Sequence, residues 1–201
     1  MNNDSPKLTL SGNHKELGYS ESLILESIQT LCKLNANFEE VINCKSINIS
    51  FVSQQEIKEL NRRFLKQNKA TNVLSFPSDP KCYEDLLGEI AICPSVIKEE
   101  SIVQGKKEHD HLIHLILHSV LHLLGYDHED SKSAEVMEEI EINTLKKLTD
   151  QYPNSKYQVS SLLNLAQAFK DESRNEESIE TYLKFINDYP SNNLISKANV
   201  E

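Results

Sequence analysis

The sequence of 201 residues is poor in cysteine and in long apolar runs, and each scarcity excludes a class of protein. It has four cysteines and no C-x-x-C pair, so neither a thiolate zinc site nor a redox dithiol is predicted, and free thiols in a reducing cytosol are expected. No run of about 18 apolar residues occurs, and the N-terminus lacks the charged start and apolar core of a signal peptide. We therefore expect a cytoplasmic protein without membrane contact. The cysteines are Cys32, Cys44, Cys82 and Cys93.

Positive charge is also scarce, because 21 lysines and arginines face 31 aspartates and glutamates, which gives a net charge of -10. This excess of acid argues against a protein that coats nucleic acid without sequence preference, since that mode of binding needs many basic residues. Residues 58–69 depart from the trend, because Glu59 is their single acid. Such a segment predicts a track for phosphates, although a solvated helix face and loop would have the same composition. Its basic residues are Lys58, Arg62, Arg63, Lys66 and Lys69.

Apolar periodicity predicts a mixed α/β domain over residues 1–148, with a small sheet and surrounding helices. Helices are expected at about 20–36, after Ser53, after Pro94, at 108–124 and at 131–148, and strands in SINISFV at 46–52, TNVLSFP at 71–77 and LLGEIAIC at 86–93. Local residues mark the helix ends by a capping box, a first-turn proline, a left-handed glycine and a second N-cap. In chain order these are Ser53 with Glu56, Pro94, Gly125, and Asp130 or Ser131.

Residues 149–201 have a different texture and predict an all-α helical-hairpin tail. Two amphipathic patterns lie between Pro153 and Pro190. Each of these two prolines directly follows a tyrosine. The pair is similar to one tetratricopeptide-type unit, which cannot bury its apolar faces without a neighbour. We expect this tail to pack on the first domain, to bind a protein partner or to stay loose, unless it is the passenger of a gene fusion or truncation.

The stretch HSVLHLLGYDHE, residues 118–129, carries the clearest chemical signal. His118 and His122 are four residues apart, so on a helix both imidazoles lie on one face, about one turn apart. Gly125 lets the chain leave the helix, and His128 can then return as a third ligand. This spacing matches the frame of metzincin proteases, in which three histidines hold zinc and leave one position open. The sequence therefore predicts a catalytic metal site, although a single histidine on an apolar helix is more often a core residue.

Neighbouring residues decide which chemistry such a site performs. Metalloproteases carry a glutamate directly after the first histidine as general base, and here that position is Ser119. The metal itself could still activate water and polarise a phosphoryl oxygen. His114, one turn before the cluster, is expected to be structural or to support a ligand. Asp127 and Glu129 are expected either to hold a ligand or accept a proton, or simply to be solvated.

Several blocks of the chain resemble one known family. HSVLHLLGYDHE resembles the H-G-x-L-H-L-x-G-Y-D-H signature of the YbeY family of bacterial rRNA-maturation endoribonucleases. Four further blocks resemble this family in the same order, so the resemblance spans about residues 45–148, essentially the first domain, and leaves out the tail. The blocks are LNRRF at 60–64, TNVLSFP at 71–77, LLGEIAIC at 86–93 and AEVMEEIE at 134–141.

The resemblance implies a single α/β domain that holds one zinc ion through His118, His122 and His128, although three imidazoles also accept nickel or cobalt. It further implies hydrolysis of single-stranded rRNA, in maturation of the 3′ end of small-subunit rRNA and in ribosome quality control. The small ribosomal subunit is therefore the expected partner. No catalytic side chain is assigned beyond the metal and its water, except Arg63 as a weak candidate. The expected RNA-binding residues are Arg62, Arg63, Lys66 and Lys69.

Position 65 departs from the family pattern, in which an arginine usually follows the aromatic residue of the LN block. In the family this arginine is thought to face the zinc cleft and to bind phosphate or developing negative charge, and Leu65 can do neither. A second hypothesis therefore treats the chain as a metal-stabilised adaptor with little or no catalysis, which binds the ribosome or a protein through its tail. A third hypothesis, a peptidase, is least favoured because of Ser119.

Overall fold

The computed structural model describes residues 7–12, 21–34, 38, 41–42, 45–79, 81–104, 108–128, 130–151, 162, 165–166, 169–170 and 174–189. Within these residues, four strands and six helices confirm the predicted mixed α/β class. In chain order they are β1 (Lys7–Gly12), α1 (Glu21–Leu34), β2 (Ser46–Phe51), α2 (Gln54–Phe64), β3 (Val73–Pro77), β4 (Leu86–Ile92), α3 (Pro94–Gln104), α4 (Glu108–Leu123), α5 (Ser131–Gln151) and α6 (Asn175–Asp188). Among the described helices, none is long and apolar enough to cross a membrane.

The described strands form one mixed sheet in the order β1-β2-β4-β3. Strands β1, β2 and β4 run parallel, and β3 pairs antiparallel to β4 at one edge. Strand β3 ends in Pro77, which lacks an N–H group, and an edge strand tolerates this because one side of its backbone has no ladder partner. The outer edge of β3 is therefore available to line the cleft described below.

Helices cover both faces of the sheet, and β4 (LLGEIAI) is accordingly largely apolar. Strand β2 (SINISF) instead alternates, and its apolar residues are the buried ones. On one face, Ile47 and Ile90 pack with α1, α4 and α5 in the larger core. On the other face, Ile57 of α2 packs with Leu74 and Ala91 in a smaller core. Helix α4 contacts both β3 and β4, so the helix that carries the histidine pair lies directly against the sheet.

The helix ends follow the local signals of the sequence. Ser53 Oγ accepts the Glu56 N–H at 3.3 Å, and Glu56 Oε2 accepts the Ser53 N–H at 2.8 Å, which closes the predicted capping box of α2. Of the two residues proposed for α5, Asp130 is the cap, because its Oδ1 accepts two backbone N–H groups of the first turn, each at 3.0 Å. Gly125, with φ of 90°, lies in the left-handed region just after α4.

Strand β1 is not among the strands predicted from the sequence. The alternation of Leu8 and Leu10 is a strand signal that was available, and both leucines pack against the larger core. The strand is short and lies at the edge, where it pairs only with β2 among the described strands. Its formation therefore depends on a partner far along the chain, which a local pattern does not reveal.

Part of the predicted tail packs on α5. Leu165 and Phe169 are buried against Ile142 of α5 in a small separate cluster. Arg174, just before α6, forms an ion pair with Glu139 of α5 at 3.2 Å. These contacts join the described parts of the tail to the α/β domain.

The hairpin prediction for the tail falls largely on positions that are not described. Pro153 and Pro190, which define the repeat, lie outside the described residues. The second predicted helix corresponds to α6, with Phe185 fully buried and Ile179 and Leu183 exposed. The similarity to a tetratricopeptide-type unit stays a prediction.

Gly88 of β4 is required by the close approach of α4. A Cβ atom at this position would lie 2.5 Å from Leu123 Cδ2 and 2.6 Å from the carbonyl oxygen of Phe76. The leucine side chain can move, but the carbonyl oxygen belongs to the neighbouring strand β3 and cannot move without disturbing the ladder. Gly88 therefore sets the distance between the sheet and the last turn of α4, which carries His122.

Replacement of Gly88 with alanine is expected to lower the free energy of unfolding by about 1–3 kcal/mol, because the methyl group would press on the Phe76 carbonyl oxygen, which the pairing of β3 with β4 holds in place. Chemical denaturation measures this change. Substitution of the exposed neighbour Glu89 with alanine serves as the control and should change stability by less than about 0.5 kcal/mol. Equal stabilities of the two variants would contradict the close approach.

Removal of residues 152–201 is expected to lower the melting temperature by about 5 °C or more, because it exposes Ile142 of α5 to water. Thermal unfolding followed by circular dichroism measures the shift. Leu183→Ala, at an exposed position of α6, is the control and should leave the melting temperature nearly unchanged. An unchanged melting temperature in the truncated chain would mean that the tail does not stabilise the domain.

Candidate metal centre

Helix α4 brings His118 and His122 together one turn apart, as their spacing predicts. Their Nε2 atoms are 3.0 Å apart. His128 approaches from the loop after Gly125, and its ring centre lies 5.4 Å from that of His118 and 5.1 Å from that of His122. One nitrogen from each of the three rings lies within 4.8 Å of the other two. This cluster could hold a metal ion.

The loop after α4 is fixed by backbone hydrogen bonds. The Gly125 N–H donates to the carbonyl oxygen of His122 at 3.0 Å, and the Tyr126 N–H donates to that of Leu121 at 3.0 Å. The Tyr126 ring also meets the edge of Phe38, with ring centres 5.6 Å apart. The left-handed Gly125 therefore turns the chain back over the helix, which directs His128 towards the histidine pair.

The Nδ1 atoms of the two helical histidines are held by acceptors. His118 Nδ1 lies 2.7 Å from Glu141 Oε1, and His122 Nδ1 lies 2.9 Å from the carbonyl oxygen of Tyr126. A carboxylate and a carbonyl can only accept, so each Nδ1 donates its hydrogen and each neutral ring has a lone pair on Nε2. The two lone pairs converge, and they repel each other unless a cation lies between them. The arrangement therefore fits a metal ion.

The chemistry of the donor set also fits. A tetrahedral zinc ion bound at about 2.0–2.1 Å holds its nitrogen ligands about 3.3 Å apart, close to the separation of the His118 and His122 nitrogens. Three neutral imidazoles suit zinc and also nickel or cobalt. Three protein ligands leave a fourth position for a reacting group, which is the arrangement of catalytic rather than structural zinc sites.

Glu141 of α5, which holds His118, is almost fully buried. Burial raises the pKa of Glu141, but the hydrogen bond from His118 and the nearby His114 and His118 rings outweigh this effect, so the pKa lies below its usual value. Glu141 is therefore ionised at neutral pH, and a carboxylate behind an imidazole makes that ring a stronger ligand. Sequence reasoning did not identify Glu141, although the AEVMEEIE block ends on it.

The electrostatic surroundings of His122 favour its neutral form. Burial lowers the pKa of His122, and the adjacent His118 ring lowers it further. The Tyr126 carbonyl acts in the opposite direction but does not compensate. A neutral imidazole is the form that binds metal, so this ring is prepared for ligation at neutral pH.

His118 and His122 line a cleft of about 620 Å³ between α4 and the edge strand β3. Residues 73–77 of β3 form one wall, and Phe64 and Leu65 lie at the end of α2 on its rim. This volume is in the range of small-molecule and cofactor sites, about 300–1,000 Å³. The histidine pair is therefore accessible to a substrate that enters the cleft.

The predicted RNA-binding residues are Arg62, Arg63, Lys66 and Lys69, and all four are exposed. Arg62 forms an ion pair with Glu59 at 2.6 Å, and the Arg63 guanidinium carbon lies 5.3 Å from the centre of the Phe64 ring. Lys66 Nζ donates to the Arg63 carbonyl oxygen at 3.0 Å. Among the residues that the structure describes, these cations flank the cleft and do not line it, and this includes Arg63, the weak catalytic candidate.

The other residues singled out in the sequence lie at different depths. The His114 ring stacks on that of His118, with centres 6.3 Å apart. Ser119 is fully buried, so it cannot reach a substrate in the cleft. Asp127 lines the cleft and contributes its only carboxylate among the described residues. Glu129 lies outside the described residues.

A further hydrogen-bonded chain, not expected from the sequence, anchors the wall of the cleft. His111 Nε2 of α4 lies 2.7 Å from Glu100 Oε2 of α3, and the same oxygen accepts from Asn72 Nδ2 at 2.9 Å. Asn72 lines the cleft, and its Oδ1 accepts the Val73 N–H at 2.7 Å. These bonds tie the start of β3 to both helices.

Comparisons with known proteins agree on one family. The family model described as Endoribonuclease YbeY matches residues 10–149, a range that contains the three histidines and Glu141. Endoribonuclease YbeY of Francisella tularensis subsp. tularensis (strain FSC 198) is 39% identical over 137 residues, which cover 64% of this chain and 77% of that protein. Endoribonuclease YbeY of Ruthia magnifica subsp. Calyptogena magnifica is 48% identical over 102 residues, which cover 50% of this chain and 70% of that protein.

One further relative and one solved structure also align with this chain. Endoribonuclease YbeY of Buchnera aphidicola subsp. Acyrthosiphon pisum (strain APS) is 36% identical over 147 residues, which cover 65% of this chain and 95% of that protein. A solution structure of a Thermotoga maritima protein aligns with a TM-score of 0.46 at 26% identity and covers 74% of this chain and 98% of that one. The family-model match ends at residue 149 and so leaves out the tail from residue 150 onwards.

Substitution of Glu141 with glutamine is expected to weaken metal binding about 10- to 100-fold, because the amide removes the negative charge behind His118. Competition with a chromogenic chelator, on the full chain, measures the affinity for zinc. Glu135→Gln, on the exposed side of α5, is the matched control and should bind zinc as the unmodified chain does. Equal affinities of the two variants would show that the contact between Glu141 and His118 does not support a ligand.

Proposed function

Because this chain belongs to the YbeY endoribonuclease family, we propose that it cleaves single-stranded rRNA at a zinc site held by His118, His122 and His128. The family match identifies the chain as an endoribonuclease, a hydrolase that acts on RNA. The metal, the single-stranded rRNA and the roles of individual residues are the proposed part. They are supported by the chemistry of the cleft and by the resemblance of the sequence blocks described above.

One observation carries the metal part of the proposal. The lone pairs of His118 Nε2 and His122 Nε2 face each other across 3.0 Å, because Glu141 and the Tyr126 carbonyl hold the opposite nitrogens. A metal ion between the two nitrogens, or a proton on one of them, removes this repulsion, and the third imidazole, that of His128, favours the metal ion. Preorganised rings of this kind favour a tightly held ion.

The residues of the cleft have separate roles in the proposed reaction. A bound metal supplies Lewis-acid polarisation of a phosphoryl oxygen and helps to generate the nucleophile. Glu141 and the Tyr126 carbonyl keep the imidazoles oriented through the reaction. In the described part of the chain, Asp127 is the carboxylate that lines the cleft. Its Oδ atoms accept the proton that the attacking oxygen loses.

The flanking cations position the RNA backbone. Arg63, Lys66 and Lys69 are exposed at the end of α2 and in the loop after it, next to the rim of the cleft. Because they do not enter the cleft, they bind phosphates on either side of the scissile bond rather than the reacting phosphate itself. Arg62 contributes less, since Glu59 already neutralises it.

The proposed biological role is maturation of the 3′ end of small-subunit rRNA, together with ribosome quality control in the cytoplasm. The resemblance of the sequence blocks to the YbeY family supports this role. The small ribosomal subunit is accordingly the proposed partner. The tail, whose described residues pack on α5, is a second proposed contact surface for a protein partner.

An adaptor with little catalysis is the second candidate function, and Leu65 favours it. Leu65 is 58% exposed and lines the same cleft as the histidine pair, where an arginine would meet a phosphate. A leucine there provides no charge for the transition state. A peptidase is disfavoured, because the buried Ser119 cannot replace the general base of metalloproteases.

Replacement of His118 with alanine is expected to abolish stoichiometric zinc and to reduce RNA cleavage more than about 100-fold, beyond the effect of losing an outer-shell partner. Metal analysis of the purified protein and digestion of single-stranded RNA measure the two effects. His109→Ala, on the same helix but outside the lining of the cleft, is the control. Full cleavage by the metal-free variant would overturn the proposal.

The cleavage products identify the attacking group. A 2′,3′-cyclic phosphate indicates attack by the 2′-hydroxyl of the RNA, whereas direct hydrolysis by water leaves a linear phosphate. Mass spectrometry of the fragments separates the two outcomes.

Replacement of Leu65 with arginine is expected to raise kcat for RNA cleavage about tenfold or more, because a charged donor then faces the transition state. Steady-state kinetics on a labelled oligonucleotide measure the gain. Ile102→Arg, which adds the same charge at an exposed apolar position of α3 outside the cleft, is the matched control. If the unmodified chain and Leu65→Arg both bind RNA and neither cleaves it, the result supports the adaptor.

A further inference from the structure

Phe64, the last residue of α2, is an apolar aromatic residue with about half of its surface exposed. Its side chain is 52% exposed, although Ile57 on the same helix is fully buried in the smaller core. The ring lines the cleft that also contains His118 and His122. An aromatic face held in water beside a reactive site is a poor contribution to stability, so a role in binding is the more economical explanation.

The position of the Phe64 ring is fixed by the structure around it. Phe76 of β3 meets it edge to face, with ring centres 4.9 Å apart at an interplanar angle of 62°. The buried Asn61 holds the turn that follows. Its backbone carbonyl oxygen accepts the Leu65 N–H at 2.9 Å, and its side-chain Nδ2 donates to the Lys69 backbone carbonyl oxygen at 2.8 Å. The ring is therefore a built part of the rim and not a frayed helix end.

The surface of the ring already attracts a planar cation. The Arg63 guanidinium carbon lies 5.3 Å from the ring centre of Phe64, and Arg63 is itself exposed. An exposed cation–π contact of this kind is weaker than the stacking of a nucleobase on an aromatic ring. A base can therefore displace the guanidinium, which is then free to pair with a phosphate of the same strand.

The charges around the ring select the ligand. In a chain of net charge -10, the exposed Arg63, Lys66 and Lys69 make the surroundings of Phe64 locally positive. The matching ligand has negative charges for the cations and flat rings for Phe64. Single-stranded nucleic acid has both, in its phosphates and its bases. An apolar peptide would use the ring but not the cations.

We propose that Phe64 is a stacking platform for one unpaired base of the RNA substrate, and that this contact positions the neighbouring phosphodiester in the cleft beside His118 and His122. The inference rests on the proposed function and adds a residue that selects single strands. A base within a duplex is already stacked and paired, so it cannot reach the ring. Every base has a π-face, so the contact discriminates strandedness and not sequence.

The chain has no tryptophan, which allows a direct test. Phe64→Trp places the single tryptophan of the chain, which can be excited apart from the seven tyrosines, at the proposed platform in the full-length, zinc-loaded protein. The probe is a 2′-O-methyl phosphorothioate oligouridine of about 12 nucleotides, a length within the usual range of single-strand sites. The matched ligand is an abasic oligomer with the same backbone and length. Quenching of the tryptophan by oligouridine but not by the abasic oligomer supports stacking, and equal responses to both overturn it.

Binding by substituted chains is the second test. Phe64→Ala is expected to raise the Kd for oligouridine about tenfold and to leave the Kd for the abasic oligomer unchanged, since only the stacked base is lost. Phe64→Leu keeps an apolar side chain without a π-face and should resemble Phe64→Ala. Tyr83→Ala, which removes an exposed aromatic ring outside the cleft, should bind both ligands as the unmodified chain does.

The outcomes separate this proposal from the function on which it rests. If the unmodified chain cleaves and binds single-stranded RNA and Phe64→Ala binds oligouridine equally well, the platform is wrong and the nuclease assignment stands. An equal loss of affinity for both oligomers also overturns the platform, because it indicates a general disturbance of the rim. If the unmodified chain binds an extended apolar peptide and no RNA, both proposals fail.

Discussion

The approach of two imidazole nitrogens, His118 Nε2 and His122 Nε2, to 3.0 Å is the constraint around which the rest of the site is arranged. It persists because both rings are held from behind, by Glu141 and by the Tyr126 carbonyl. Glu141 is a buried charge, and such a charge is tolerated only when hydrogen bonds and opposite or polarisable groups compensate it. The helix α4, the loop after it and the helix α5 therefore have to be assembled together before the three imidazoles and Glu141 can converge.

Helix α5 connects this site to the tail. Glu141 faces the histidine cluster, and the next residue, Ile142, is buried against Leu165 and Phe169. Neighbouring residues on a helix point about 100° apart, so one turn of α5 supports the site on one side and the tail on another. The tail thus adds packing to the helix that holds the ligand.

The cleft brings together groups of different chemistry. His118 and His122 line it, its wall is the edge strand β3, and its rim has an aromatic ring next to exposed cations. Leu65, an apolar residue that is 58% exposed, lies on the same rim. This member of the YbeY family therefore has a three-histidine cluster that could hold a metal ion, next to a cleft with an exposed leucine on its rim.

The sequence by itself determined the elements whose causes are local. The capping box at Ser53, the left-handed Gly125 and the i, i+4 histidine pair each depend on neighbours within a few residues, and all three are found in the structure. Only the tertiary structure decided which distant groups complete them. Glu141, twenty-three residues from His118, and strand β1, paired with β2, carry no sufficient local signal. The position of Phe64 was also decided by the tertiary structure. A period of 3.6 residues places Phe64 on the apolar side of α2, but the helix ends beside β3, so the ring is open to the cleft.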